Sequence, residues 1–494
     1  MGNTIMMKIL YGGLLSISLL LFNAATANEN PHDNISIEFS TNQVHGLYNF
    51  VQALAGTVGA TSPTLNEIFS DSEFNNAQSK QILSAYKNIN ISYDYDFNQE
   101  LAGRHNSRQI WQLFIMASTQ AKDLDDFQQR TFGLITTNDH QIMISTLRYF
   151  EPIYQKLIWE PSQAWLDDEI KTLGTRASTI DINQHFNQAK SFYRTQWNSH
   201  IPFKVFIVPI PRNNGISTAT PQGNILSFTT MPHQNTEAQL GIIFHELAHI
   251  LFENQPIATQ KDIEKMFLES SSPYKVLAYQ ILDEALATAL GNGWFYKLHS
   301  GELDTNDWYF SPYINTQAKS TYSLVERYIK NNKTLDKAFV DDFIKQYGTN
   351  FPNSYLNVDT IMANTIILAE QGKESDNRIF QAYFNNLQFL RSINIVTPLD
   401  NLTEIGKLQR SINTRLILIT EQKEQNIENL KKYFPWLTSK KRPTEGNYIM
   451  AYLAPDGVME ILFAIDDMAL FETAIQTLSK KKTLSDGVNV IKLP

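Results

Sequence analysis

The chain of 494 residues contains no cysteine. That excludes disulfide scaffolds, thiol nucleophiles, cysteine-ligated zinc, iron–sulfur clusters and a lipid-anchored N-terminal cysteine. Any bound metal must be held by His, Asp or Glu. Charge is sparse as well: 18% of residues are charged, with 41 Lys and Arg against 50 Asp and Glu. The net charge of -9 and the lack of a long basic run argue against a nucleic-acid binder. Internal repeats are missing too. In contrast, 43% of residues are hydrophobic and 12% aromatic, which suits a sizeable core and not a disordered chain. By length the chain is about three domains, or one large enzyme with appendages.

Lys8, the apolar stretch Ile9 to Phe22 and the small-x-small triplet Ala25-Thr26-Ala27 have the make-up of a secretory signal peptide. Cleavage after Ala27 is expected, an uncleaved anchor being the alternative. Cleavage removes one Lys and leaves 40 basic and 50 acidic residues, net -10. No later run reaches the roughly 20 apolar residues of a membrane span. A periplasmic or secreted location follows, with no stable membrane insertion after cleavage.

The expected fold class is mainly α with a small β-sheet. Residues 28–150 form an N-terminal helical region, with apolar residues at helical spacing over Gln43 to Leu54, Asn76 to Tyr86 and Ser107 to Ala121. Asp94 to Asn98 resembles the start of a calcium loop, but Gln99 stands where Gly is needed and the distal Glu is missing. A catalytic α+β core is expected over 151–300. It has a helix over Ile182 to Trp197 and strands over Phe203 to Ile210, Ile216 to Thr220 and Asn224 to Thr230. Helices follow over Thr236 to Phe252, Lys261 to Glu269 and Tyr274 to Leu290, the last stopping at Gly291-Asn292-Gly293. Thr236 and Gln239 have the spacing of a capping box. Residues 301–440 read as helical, including Asp359 to Glu370 and Glu404 to Tyr433. Lys440 to Pro443 reads as a linker to a small α+β module over 441–494.

The helix over 236–252 carries His245-Glu246-Leu247-Ala248-His249. Two His four residues apart lie about 40° apart around a helix and one turn along it, so their rings can converge on one cation. Zinc suits such N and O ligands. Glu246 lies beside that face, where it can act as a general base on a water without binding the metal. An amphipathic helix that merely happens to carry these residues is the bland alternative. Against it, Leu240, Ile243, Phe244, Leu247 and Leu251 make the other faces apolar, and burying two imidazoles and an acid without a partner is costly. Gly241 has either a packing or access role, or none.

A third ligand is needed. Glu284, in Asp283-Glu284-Ala285-Leu286-Ala287, is a carboxylate in an apolar helix and the best candidate; Asp283 suits the orienting of a histidine. Tyr296, His299, Tyr309, Tyr313 and Tyr322 are candidates to stabilise the oxyanion of a transition state, and Tyr313 is chosen. His140, His185 and His233 read as surface loop residues and not as ligands.

These two stretches resemble the gluzincin metallopeptidases, in which a helix bears His-Glu-x-x-His and a downstream Glu completes the metal site. The resemblance covers about residues 200–295. It implies one zinc per chain held by His245, His249 and Glu284, with Glu246 as base and Asn224 to Thr230 as an edge strand that aligns a peptide. The interval from His249 to Glu284 is longer than usual, and Asp283 stands where Asn is common. The implied activity is hydrolysis of peptide bonds in a peptide or protein substrate. A zinc hydrolase of another bond, and a silent envelope protein with a vestigial metal site, are the rivals. Substrate specificity and oligomeric state have no signature in the sequence.

Overall fold

A computed structural model describes residues 36–57, 62–91, 93–96, 107–215, 217–373 and 377–493. The expected signal peptide and its cleavage site lie outside the described residues, as does Ile216. As expected, the chain is mainly helical with small mixed sheets. No described helix is long and apolar enough to cross a membrane.

The chain first enters a four-stranded sheet. Strand β1 (Ile37–Ser40) pairs in parallel with β4 (Phe203–Pro209), β4 with β6 (Ile225–Thr230) in parallel, and β6 with β5 (Thr218–Gln222) antiparallel. The order is therefore β1-β4-β6-β5. The N-terminal region thus contributes a strand to the central sheet, 166 residues before that strand's partner register begins with Ile37 opposite Phe203. Strand β6 is buried along its whole length and lies between two neighbours. The expected edge strand is therefore interior, and β5 takes that place.

Helices Gln43–Ala55, Ala77–Lys87 and Ile110–Gln120 follow the periodic stretches of the N-terminal region. Their apolar faces share one core in which Phe50 meets Phe69, Phe150 and Tyr154. A short antiparallel pair, β2 (Asp94–Asp96) and β3 (Ser107–Gln109), precedes the third of these helices. Asp94 to Asp96 is thus strand; Phe97 to Gln99 are not described. Helix Thr137–Tyr154 runs through a π-helical turn, Gln155–Trp159, into helix Glu160–Thr179. The N-terminal core ends on this rod at Ile158 and the central core begins at Leu166.

The remaining sheet has six strands: β7 (Asn364–Leu368), β8 (Ser392–Val396), β9 (Thr414–Ile419), β10 (Tyr448–Leu453), β11 (Met459–Ala464) and β12 (Asn489–Lys492). Their order is β12-β10-β11-β9-β7-β8, with β11, β9, β7 and β8 parallel. Two expectations are corrected here. The stretch Asp359 to Glu370 is a single helical turn, Val358–Ile361, followed by β7. Glu404 to Tyr433 is helix Leu402–Arg410, strand β9 and helix Lys423–Leu430. Strands β7 and β9 are apolar runs buried on both faces, and such runs lack the alternation that separates a strand from a buried helix. The module expected from 441 onward is therefore part of a larger α/β unit. Its assumed linker is packed as well: Arg442 Nη1 donates to Glu424 Oε1 at 2.8 Å and to Tyr448 Oη at 3.4 Å.

Candidate metal centre

Helix Thr236–Glu253 starts at Asn235, whose Oδ1 accepts from Ala238 N at 2.9 Å. The expected capping box does not form, because Gln239 instead donates from Nε2 to Thr230 Oγ1 on β6, at 2.9 Å in the core. That bond and the apolar faces of the helix seat it beneath the sheet, with His245 buried and Glu246 and His249 half-buried.

Helix Leu282–Thr288 carries Glu284 in its first turn. It does not stop at Gly291-Asn292-Gly293. It continues as a π-helix, Ala289–Phe295, and then as helix Tyr296–Ser300. Gly291 faces the backbone of the motif helix so closely that a Cβ there would lie 2.5 Å from His245 N and 2.6 Å from Gly241 O. A Cβ on Gly241 would in turn meet Gly291 O at 3.4 Å and the Tyr296 ring at 3.8 Å. Gly291 thus lets the helices cross at backbone contact, whereas a Cβ on Gly241 would make only ordinary contacts, so the crossing does not require glycine at 241. π-Helical turns are frequent at functional sites because they re-aim one side chain. Here that side chain is Asn292.

The crossing brings three ligand atoms together. His249 Nε2 lies 3.0 Å from His245 Nε2 and 3.2 Å from Glu284 Oε1, and His245 Nε2 lies 3.3 Å from the same oxygen. His245, His249 and Glu284 form the group among the described residues with the arrangement of a metal site. Ligands at about 2.0–2.2 Å from a tetrahedral zinc stand about 3.3 Å from one another. The donor triangle matches that edge length, so the residues present fit the ion.

The opposite ring nitrogens are also occupied. Asn292 Oδ1 lies 3.2 Å from His245 Nδ1. Asp283 Oδ1 lies 3.0 Å from His249 Nδ1, off the line of a good hydrogen bond. Both acceptors favour a proton on Nδ1, which leaves each Nε2 a lone pair aimed at the centre. Two lone pairs and a carboxylate facing one another need a positive charge between them.

The carboxylates of the site draw positive charge to the same place, here as a proton on the His249 ring. Burial opposes the charge of His249, yet the Asp283 and Glu284 carboxylates outweigh it and hold the imidazole well above its ordinary range. Burial also opposes ionisation of Glu284, but His249 and His245 hold its carboxyl well below the usual range. Glu246 goes the other way: burial, helped by Glu284 and Asp283, raises its carboxyl against the pull of the two histidines. A raised carboxyl beside a metal site is suited to carrying a proton.

Tyr309, not Tyr313, reaches this centre. The Tyr309 ring stacks over His245 with centroids 6.2 Å apart, and its hydroxyl lies within the field of Glu284. Burial and the Glu284 charge push that hydroxyl far above the ordinary tyrosine range. Tyr313 lies in the first turn of helix Pro312–Lys330, packs on Phe351 and Phe389, and its hydroxyl accepts from Thr360 Oγ1 at 3.1 Å. Gly293 explains the selection, because Trp308 fills the space beside it and fixes the loop that presents Tyr309.

The other candidates have structural partners. Tyr322 Oη donates to Glu326 Oε1 at 2.7 Å, and Tyr296 packs at the helix crossing. His299 packs at an angle against the rings of His185 and Phe295. His233 is an exposed loop residue as expected, but His140 is not on the surface: it is buried in helix Thr137–Tyr154, where its ring bonds Thr131 Oγ1 at 2.9 Å. Asn292 escaped notice in the sequence because a residue between two glycines has the signature of a turn.

The chain matches no protein-family model, no curated protein and no solved structure.

Proposed function

We propose that the chain is an exported zinc-dependent metallopeptidase. The convergence of His245 Nε2, His249 Nε2 and Glu284 Oε1 within 3.3 Å carries this reading. A bound zinc would polarise the scissile carbonyl and make water nucleophilic at neutral pH. Glu246 accepts the proton of that water and passes it to the leaving amine, and its raised carboxyl suits both halves of the transfer. Asn292 and Asp283 keep the histidine Nε2 lone pairs turned inward. The Tyr309 hydroxyl supplies a hydrogen bond to the developing oxyanion.

A peptide substrate is favoured by β5. It is the sheet edge beside the motif helix, the position at which an extended chain would add as a further strand. Pro221 within β5 is tolerated because edge strands accept proline.

The test is metal content and turnover in the full mature chain. About one zinc per chain is expected, lost in His245→Ala. Glu246→Gln should keep the zinc and lose cleavage of a mixed peptide library by at least about 10²-fold. A wild-type protein that binds no zinc after supplementation, or a Glu246→Gln variant with full activity, would overturn the reading.

A further inference from the structure

Arg391 lies in the loop between helix Asn377–Asn386 and β8, in the α/β unit. Its Nη1 donates to the carbonyl oxygen of Gln280 at 2.7 Å. Gln280 ends helix Lys275–Gln280, four residues before the ligand Glu284. The same glutamine is tied to the α/β unit by its side chain, which donates to Ile412 O at 2.9 Å. Two residues before Arg391, the Phe389 ring packs on Tyr313 at 5.1 Å, beside the loop that carries Tyr309. The charge of Arg391 is felt at the Tyr309 hydroxyl, where it opposes the effect of Glu284.

The guanidinium is therefore anchored at one corner on the edge of the metal centre. Among the described residues no carboxylate pairs with it, although the chain has an excess of acids and Asp283, Glu284 and Glu246 lie in the adjoining centre. Arg391 is exposed, and Nη1 is the guanidinium nitrogen held by the Gln280 carbonyl. A planar fork fixed at one nitrogen is prepared to take a carboxylate through two parallel hydrogen bonds. An acidic centre repels an anionic substrate group, and an unpaired cation at its edge offsets that repulsion locally.

We propose that Arg391 recognises a carboxylate of the substrate beside the metal centre, so that the preferred substrates are peptides presenting that group near the cleaved bond. This rests on the peptidase reading. The carboxylate is either the C-terminus of the peptide or an acidic side chain.

Binding of fluorescent peptides to the zinc-loaded mature chain tests the proposal without relying on turnover. Each peptide is made with a free or amidated C-terminus, and with Asp or Glu or their amides at internal positions. Wild type should bind the form with the recognised carboxylate about tenfold more tightly, or better, than its neutral twin. Discrimination between the C-terminal pair identifies the α-carboxylate, and discrimination between the internal pair identifies a side chain. Both Arg391→Ala and Arg391→Gln should abolish the difference, the second retaining a donor for the Gln280 carbonyl should the first fail to fold. Equal binding of all twins by wild type, or discrimination that survives in Arg391→Gln, would overturn the proposal. Discrimination by Arg391 without cleavage of any peptide would support it and overturn the peptidase reading instead.

Discussion

Asn292 Oδ1 faces His245 Nδ1 at 3.2 Å from a π-helical turn, while His249 is backed at 3.0 Å by the carboxylate of Asp283. The two histidines of the candidate centre thus differ in the charge behind them. Removing the neutral partner leaves His245 free to rotate and to place its proton on Nε2. Asn292→Ala should weaken zinc binding by about 10–100-fold. Competition against a chelator of known affinity reads this directly, and an unchanged affinity would show that Asn292 only packs.

Tyr309 and Tyr313 separate by position: the first stacks over His245, the second packs on Phe351 and Phe389. Tyr309→Phe removes the hydroxyl at Glu284, and a lost oxyanion donor costs about 10²-fold or more in kcat. Tyr313→Phe removes only the acceptor of the Thr360 hydroxyl and should leave kcat within about twofold. Steady-state kinetics of both variants on one peptide substrate checks the pair, and the reverse ranking would restore Tyr313 as the catalytic residue.

Gly291 permits the crossing on which the centre is built. In Gly291→Ala the new methyl would sit 2.5 Å from His245 N, against backbone that cannot yield as a side chain can. The helices must separate, at a cost of about 1–3 kcal/mol or more. Urea unfolding should show that loss, and zinc affinity should fall with it because His245 and Asn292 move apart. A Gly133→Ala variant has open space at its Cβ and serves as a contrast in which only backbone conformation is stressed.

His45 imposes a pH dependence remote from the centre. Its ring is buried, with Nδ1 2.8 Å from Ser118 Oγ and Nε2 2.8 Å from Ser227 Oγ on β6. Burial lowers its pKa to about 3. The folded state therefore binds fewer protons than the unfolded chain, whose histidine titrates near about 6.5. The stabilisation is complete above about pH 6.5 and is lost as pH falls towards about 3, at up to about 1.4 kcal/mol per pH unit. Unfolding free energies of wild type and His45→Gln, measured from pH 7 to 5, should differ by a gap that narrows on acidification. A constant gap would mean that His45 binds protons equally in the folded and unfolded chain, against the burial effect.

Much of the helical architecture was legible because helical spacing is local. Thr236–Glu253 appears within one residue of its expected end, and its two histidines share a face by helix geometry alone. Glu284 could be singled out because a carboxylate in an apolar helix is costly unless it has a partner. Strands β7 and β9 were not legible: Thr365 to Leu368 and Arg415 to Ile419 sit in a parallel sheet covered on both faces, which erases the alternation of a half-exposed strand.

The amino-acid sequence by itself determined the chemistry available to this protein: no thiol, two histidines one helical turn apart, and a glutamate between them. Tertiary structure alone decided which residues serve it. Gly291 and Gly241 meet across two helices, the π-turn swings Asn292 behind His245, and Trp308 seated at Gly293 brings Tyr309 forward in place of the expected Tyr313. The order of strands likewise buried β6 and left β5 as the edge. A side chain's type and its local spacing are written in the chain. Its neighbours across a helix crossing or a sheet are set by packing between distant segments, and local periodicity carries no record of that packing.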